Sequence, residues 1–280
     1  IDQIGSIDQY KYWNDKSVIY WLKYDNEINR KFINITKTLF SNINIKKNSK
    51  ILDIGCGSGH ISKISAEKVG KKGDVLGIDI SKPMLKLFNK TNKDVKNIRC
   101  MQIDIQKYAF REKLFNYAIS RFGVMFFENP YLAFRNIYTS LKKGGFFTFV
   151  CWSDTTYNDF FALPALAVTR ITGIKRPRIT KNPGPFAFSN NNYLYRILKK
   201  SNFKSINIET VKTFLPADNI DIDVEILTNI GTGARMIREL KLKKPDISKI
   251  KSELNDLLYK NIYKKNKEYK AKIFLVSANK

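Results

Sequence analysis

The sequence is poor in the residues that build metal sites and crosslinks. Its 280 residues hold one histidine, His60, and three cysteines, Cys56, Cys100 and Cys151, with no C-x-x-C pair. A zinc or haem site is therefore not expected, nor any other metal. An odd number of widely separated cysteines beside apolar segments is no disulfide framework, and reads as small buried hydrophobes in a reducing, cytoplasmic compartment. No apolar run approaches the roughly 20 residues that a membrane span needs, and nothing at the N-terminus resembles a signal peptide, so no transmembrane segment is expected. The chain starts at Ile1 and not at Met, and further native sequence is expected ahead of it. Acid is also scarce, 25 Asp and Glu against 50 Lys and Arg, a formal net charge of +25. Such an excess raises the local concentration of anionic partners. Most of it is lysine spread from end to end among many Asn and Ile, as an AT-rich coding sequence would give. Doublets such as Lys46-Lys47, Lys71-Lys72 and Lys264-Lys265 are scattered, so the reading is a solvated basic surface ahead of a dedicated polyanion site.

What is present is enough apolar material for a substantial core, 43% hydrophobic and 13% aromatic residues, and one organising stretch. Lys50-Ile51-Leu52-Asp53-Ile54-Gly55-Cys56-Gly57-Ser58-Gly59-His60 reads as a buried strand running into a glycine turn, with helical spacing from 61 to 69. A helix N-terminus opening from such a turn favours polar and negative ligands. The dinucleotide fingerprint G-x-G-x-x-G would need glycine where His60 stands. The spacing Asp53-x-Gly55-x-Gly57-x-Gly59 instead resembles the first motif of the Rossmann-like S-adenosylmethionine methyltransferases. A second strand, 74–79, ends at Asp79, twenty residues beyond Gly59, where a carboxylate can accept from both hydroxyls of a ribose.

Strands and helices alternate from Lys50 to Cys151, the pattern of a doubly wound parallel sheet. Residues 1–45 form an N-terminal helical cap, helical over 17–42 and rich in aromatics. Trp13 and Trp21 either dock this cap or meet the ligand, a sulfonium by cation–π attraction. Residues 46–152 are the cofactor-binding core. Ser81 or Asp79 caps a helix with Pro83 in its first turn, and Met84, one turn on, packs either the core or an adenine face. Asp104, after a strand at 98–103, can accept from an adenine amino group; Ile80, Ile105 and Cys56 stand beside these contacts. The strand 117–120 leads to Arg121-Phe122-Gly123-Val124-Met125-Phe126-Phe127 at the C-terminal edge, where ligands of such sheets bind. Ser120 and Arg121 face the methionine part, and Phe122, Met125 and Phe126 supply an apolar acceptor wall or core. A helix runs from Pro130 through Leu141, with Lys142-Lys143-Gly144-Gly145 ending it, and 146–152 is a central strand. Residues 153–204 are a lid or substrate insertion, with an apolar helix at 160–171 interrupted at Pro164. A basic loop, Lys175-Arg176-Pro177-Arg178, follows, and then Asn182-Pro183-Gly184-Pro185, which presents Phe186 and Phe188. Residues 205–280 complete the sheet with strands at 205–211 and 273–277. Between them lies an excursion, 212–272, with helical patterns at 221–240 and 248–269.

Taken together, the glycine loop, Gly77-Ile78-Asp79-Ile80-Ser81-Lys82-Pro83-Met84-Leu85, Gln102-Ile103-Asp104-Ile105, 120–127 and Leu141-Lys142-Lys143-Gly144-Gly145 resemble the class I small-molecule methyltransferases. Within them the chain is similar to the branch of the ubiquinone and menaquinone biosynthesis enzymes. The resemblance covers about residues 10–210. It implies a seven-stranded, mostly parallel sheet with its last strand antiparallel, S-adenosyl-L-methionine as cofactor, and Asp53, Gly55, Gly57, Asp79, Asp104 and Ser120 as its contacts. After Ser120 the chain departs from the quinone enzymes, so their substrate is not inherited. The expected acceptor is small or lipid-like; nucleic acid or protein docked on the basic surface is the second reading, a noncatalytic cofactor-binding domain the third, and a homodimer is left open. In-line displacement from a sulfonium needs alignment and a dry site more than a nucleophile. The candidates for a base are His60, Tyr12, Tyr157 and Asp154.

Overall fold

The computed structural model describes residues 8–15, 18–110, 113–176, 178 and 180–280. Ser17, where the cap helix is expected to start, and Pro177 of the basic loop lie outside them. The cap opens with α1 (Gln9–Asn14), and three short helices stand in place of the one helical segment expected over 17–42: α2 (Val18–Lys23), α3 (Asp25–Lys31) and α4 (Ile33–Ser41). The breaks fall at Tyr24 (ψ 25°) and Phe32 (ψ 14°), whose rings are buried, so the chain bends to keep its apolar face inward.

The sheet then builds as alternating units: β1 (Lys50–Ile54), α5 (His60–Val69), β2 (Asp74–Asp79), α6 (Lys82–Thr91), β3 (Ile98–Gln102), β4 (Phe115–Arg121), α7 (Pro130–Ser140) and β5 (Leu141–Trp152). The helices start where their sequence directs. The Ser81 hydroxyl accepts from the Met84 N–H with Pro83 in the first turn, and the Asn129 side chain accepts from the Leu132 N–H ahead of Pro130. There follow α8 (Asp159–Thr172), α9 (Asn191–Lys200), β6 (Lys204–Pro216), α10 (Ile220–Asn229), α11 (Thr232–Glu239), α12 (Lys244–Leu258) and β7 (Glu268–Asn279). Strand order is β3-β2-β1-β4-β5-β7-β6, with β7 antiparallel to both neighbours and β1–β5 mutually parallel. This is the expected doubly wound, seven-stranded sheet.

Four local expectations are corrected. α8 runs through Pro164 without interruption, buried against α11 and α12, where packing outweighs one lost backbone hydrogen bond. α7 ends at Ser140, one residue before the expected Leu141, and β5 starts at Leu141 rather than at Phe146, because Leu141 already pairs with Phe115 and the lysine-glycine stretch forms an irregular opening to the strand. β6 and β7 are longer than 205–211 and 273–277 and pair as far as Pro216 with Glu268. β6 is an edge strand, needing one apolar face only, so its polar residues do not end it. Inside the excursion the pattern at 221–240 splits at Gly231 (φ +87°), and α12 starts four residues before 248, with Pro245 in its first turn.

Candidate functional site

The C-terminal ends of β1, β2 and β4 open onto a cavity of about 320 Å³, within the range of small-molecule sites. Its floor is the loop after β1. The Gly55 and Cys56 N–H groups both donate to the Ile78 carbonyl (2.9 and 3.1 Å), which ties this loop to β2. Gly55 has φ +66°, and a Cβ there would sit 2.7 Å from the Gly123 Cα, so the β1 and β4 loops touch backbone to backbone. Ser120 locks the same junction, its hydroxyl donating to the Ile54 carbonyl (2.7 Å) and accepting from the Gly123 N–H (3.2 Å). Behind the loop, the buried Asp53 carboxylate accepts from Ser62 Oγ at 2.6 Å, and burial pushes it up to about 7.

At the end of β2 the Asp79 carboxylate accepts from the Gly57 N–H and the Ser81 N–H, both at 2.9 Å. Burial raises its pKa against those two bonds. Ile80, Met84, Asp104 and Ile105 continue the wall on this side, with Cys56 and Gly57 below. Cys56 is held far into the thiol form by burial.

The cap closes the space from above. α1 is tied to the β2 loop by Ser81 Oγ donating to the Trp13 carbonyl (2.6 Å) and by Asn14 bonded to Ile80 O and Lys82 N. Its other end reaches the β4 loop: the Gln9 N–H donates to Glu128, and the Trp13 ring meets Phe126 edge-on at 5.1 Å. α3 holds the floor through Ser58 Oγ donating to Asp25 (2.7 Å). The Arg121 guanidinium donates to Asn29 (2.5 Å) and Thr36 (2.8 Å), and burial lowers its pKa to about 10. Phe122 has a left-handed backbone, φ +67°, uncommon for a bulky residue. It is held there by stacking on Trp152 at 4.3 Å and by an edge contact with Phe32.

Two ring nitrogens of wall residues, Trp21 Nε1 and His60 Nε2, are buried without a hydrogen-bond partner among the described residues. Buried polar atoms are nearly always bonded, so the wall is short of polar contacts at two points where a ligand would supply them. Burial, then the charges of Arg121 and Lys63, lowers the His60 pKa to about 4, which leaves a neutral imidazole at pH 7.

Most of the residues singled out in the sequence meet at this cavity: Gly55, Cys56, Gly57, Asp79, Ile80 and Met84; Asp104, Ile105, Arg121 and Trp21; Phe122, Met125, Phe126, Trp13 and Phe186; and Tyr12 and His60. Others do not line it. Asp53, Gly59 and Ser120 sit behind the wall, where they hold its loops in place. Gly59 faces the Phe88 ring, 2.5 Å from where a Cβ would be. Phe188 is buried against Phe134 and Tyr193. Tyr157 is 40% exposed, under the ammonium groups of Lys212 and Lys272. Asp154 does not line it either; its Oδ1 accepts from the Thr156 N–H and hydroxyl, which lowers its pKa. The sequence reading missed Asp25, Asn29, Trp152, Phe160, Phe161, Arg235 and Arg238. The two phenylalanines open the predicted 160–171 helix and could have been found as its buried face; the rest reach the cavity only through tertiary packing.

Residues 52–149 match the methyltransferase domain family, the segment that carries the glycine loop, Asp79 and the β4 loop. That segment is thus similar to methyltransferase domains. A demethylmenaquinone methyltransferase of Staphylococcus carnosus is 31% identical to it over 109 residues, 39% of this chain and 45% of that one; the chain thus spans less than half the length of this relative. The overall fold is similar to that of the Haemonchus contortus phosphoethanolamine N-methyltransferase 2 in complex with S-adenosyl-L-methionine. Its TM-score is 0.61 at 17% identity, over 99% of this chain and 60% of that one. The YcgJ protein of Bacillus subtilis aligns over 89% of this chain and 97% of its own, with a TM-score of 0.53 at 17% identity. Among the described residues no group of three or more His, Cys, Asp or Glu could hold a metal ion, and no helix is long and apolar enough to cross a membrane.

Proposed function

We propose that this chain is an S-adenosylmethionine-dependent methyltransferase, of the EC 2.1.1 class, that acts in the cytoplasm on a small or lipid-like acceptor. One observation carries the reading: the glycine-loop backbone, the Asp79 carboxylate and the unpartnered Trp21 and His60 nitrogens line the same cavity as an aromatic chamber of Trp13, Phe122, Phe126 and Trp152. Each Asp79 oxygen accepts one backbone N–H and keeps a lone pair for a ribose hydroxyl. Met84, Ile80 and Ile105 offer an apolar face to adenine, Asp104 an acceptor for its amino group, and Arg121 a positive charge for the methionine carboxylate.

When bound, S-adenosylmethionine would supply an electrophilic methyl group carried on a sulfonium that leaves as a neutral thioether. The chain's part is alignment and exclusion of water. α1 spans from the β2 loop to the β4 loop above the cavity, and the edge-on contact of Trp13 with Phe126 shuts the space between them. His60, held neutral with a pKa near 4, is a weak base at pH 7.

Calorimetric titration with S-adenosylhomocysteine tests the reading. A folded sample should bind it, and Asp79→Ala should bind at least about tenfold more weakly, as expected on losing charge-assisted hydrogen bonds. No uptake by folded wild-type protein would end the proposal. The second reading, a nucleic acid or protein acceptor, rests on the net charge of +25. Methyl transfer to RNA that collapses as salt is raised from 50 to 200 mM would favour it, since phosphate contacts carry a steep salt dependence.

A further inference from the structure

The cavity wall carries more positive charge than the methionine carboxylate needs. Beyond Arg121, whose guanidinium is occupied by Asn29 and Thr36, the wall includes Arg176 and Arg178 from the loop after α8, and Arg235 and Arg238 from α11. The acids of the same wall are Asp25, Asp79 and Asp104. Each is bonded elsewhere: Asp25 to Ser58, Asp79 to two backbone N–H groups, and Asp104 to Gln106 and, at 3.7 Å, Lys107. None of the four arginines is paired with a wall acid among the described residues. Arg235 uses its Nε on Glu239 (2.6 Å), which leaves its terminal nitrogens, and Arg238 lies over the Tyr12 ring, 5.7 Å from the centroid. Tyr12 in turn meets Trp13 edge-on at 5.2 Å, so the guanidinium end is continuous with the aromatic chamber and its lid.

Guanidinium groups around an apolar chamber suit one kind of ligand: an anionic oxygen group, which they bind by paired N–H donors, joined to an apolar body. We propose that the methyl acceptor of this chain is an amphipathic anion, a carboxylate or phosphate carried on an aliphatic or aromatic body, with the anionic group held by Arg235 and Arg238 and by Arg176 and Arg178. This rests on the methyltransferase reading above. A neutral lipid would offer these arginines no anionic group, while the wall's own acids are already bonded and Arg235 is paired with Glu239 through its Nε alone.

The test separates the two readings. Protein saturated with S-adenosylhomocysteine is titrated calorimetrically with octyl phosphate, octanoate and octanol. At least one anion should bind ten or more times tighter than octanol, and the stronger of the two names the anionic group. Arg235→Ala and Arg238→Ala should each reduce that preference about fivefold or more, with S-adenosylhomocysteine affinity and the thermal midpoint unchanged. Arg235→Lys should recover only part, because a point charge replaces the fork. Equal binding of all three probes, or a preference that survives both alanine variants, overturns the anion proposal and leaves the methyltransferase reading standing. Failure to load with S-adenosylhomocysteine in the first place overturns both.

Discussion

Asp53 and His60, seven residues apart in chain order, set opposed pH dependences. In the fold the Asp53 carboxyl is pushed from 3.8 up to about 7. Its contribution to stability is full below pH 3.8 and is lost as pH rises through 7. His60 is pushed from 6.5 down to about 4. Its contribution is full above pH 6.5 and is lost as pH falls through 4. Between pH 6.5 and 4 the two oppose each other, and the wild type should change little on their account. Asp53→Asn should therefore lose stability on acidification through that window more steeply than wild type, and His60→Gln should gain. Thermal midpoints taken in half-unit steps from pH 7 to 4 decide it; parallel curves for all three proteins would contradict the assignment. Trp21 supports a second single-residue prediction. Its indole N–H is buried without a partner, so Trp21→Phe removes an unsatisfied donor and should leave the ligand-free protein at least as stable. If that N–H serves the bound cofactor, S-adenosylhomocysteine affinity should fall about three- to tenfold, the worth of one hydrogen bond. A variant that binds unchanged would show that the indole nitrogen has no ligand.

At the scale of the loops and helices, the contact of Gly55 with Gly123 explains why the motif admits no side chain. Gly55→Ala combines a left-handed backbone with a Cβ 2.7 Å from another chain segment's backbone. It should cost about 2 kcal/mol or more, a fall in thermal midpoint of at least about 4 °C, with loss of S-adenosylhomocysteine binding. Unchanged melting would mean that the two loops are free to part. This element was legible in the sequence because its physics is local: strand alternation, three alternate glycines, then helical spacing. The same holds for the Ser81 and Asn129 caps and for Asp79 at a strand end. Elements whose course depends on distant partners were less legible. The apparent break at Pro164 is a packing matter, and the full length of β6 and β7 follows from their mutual pairing, which local polarity at 212 and 213 conceals. Phe188 carries the same lesson for the site: beside Phe186 in sequence, it turns instead into the cleft between α7 and α9, where Phe134 and Tyr193 receive it.

At the scale of the molecule, the cap and the helical excursion between β6 and β7 are remote in sequence and joined by buried charge. Lys31 on α3 pairs with Asp223 on α10 at 2.5 Å, both side chains at most 2% exposed. Lys31 also donates to the Pro216 carbonyl, while the Tyr263 and Tyr269 hydroxyls donate to the second Asp223 oxygen at 2.9 and 2.5 Å. Burial and the Asp223 charge raise both phenol pKa values, which keeps them donors. No local pattern announces this network, since each member is one polar residue among many in its own segment. Because α3 also supplies Asp25 to Ser58 and Asn29 to Arg121, the pair positions one wall of the cavity. Lys31→Met leaves a buried carboxylate with hydroxyl partners alone and should cost about 3–5 kcal/mol, as should Asp223→Leu, which strands the ammonium. In the double variant neither charge remains uncompensated, so its loss should be well below the sum of the two and no greater than the larger single loss. Urea unfolding of the four proteins gives the cycle, and strictly additive losses would mean that the two charges do not act as a pair. Each single variant should also bind S-adenosylhomocysteine more weakly than the double, because a stranded charge pulls α3 toward water and takes the Asp25 and Asn29 contacts with it.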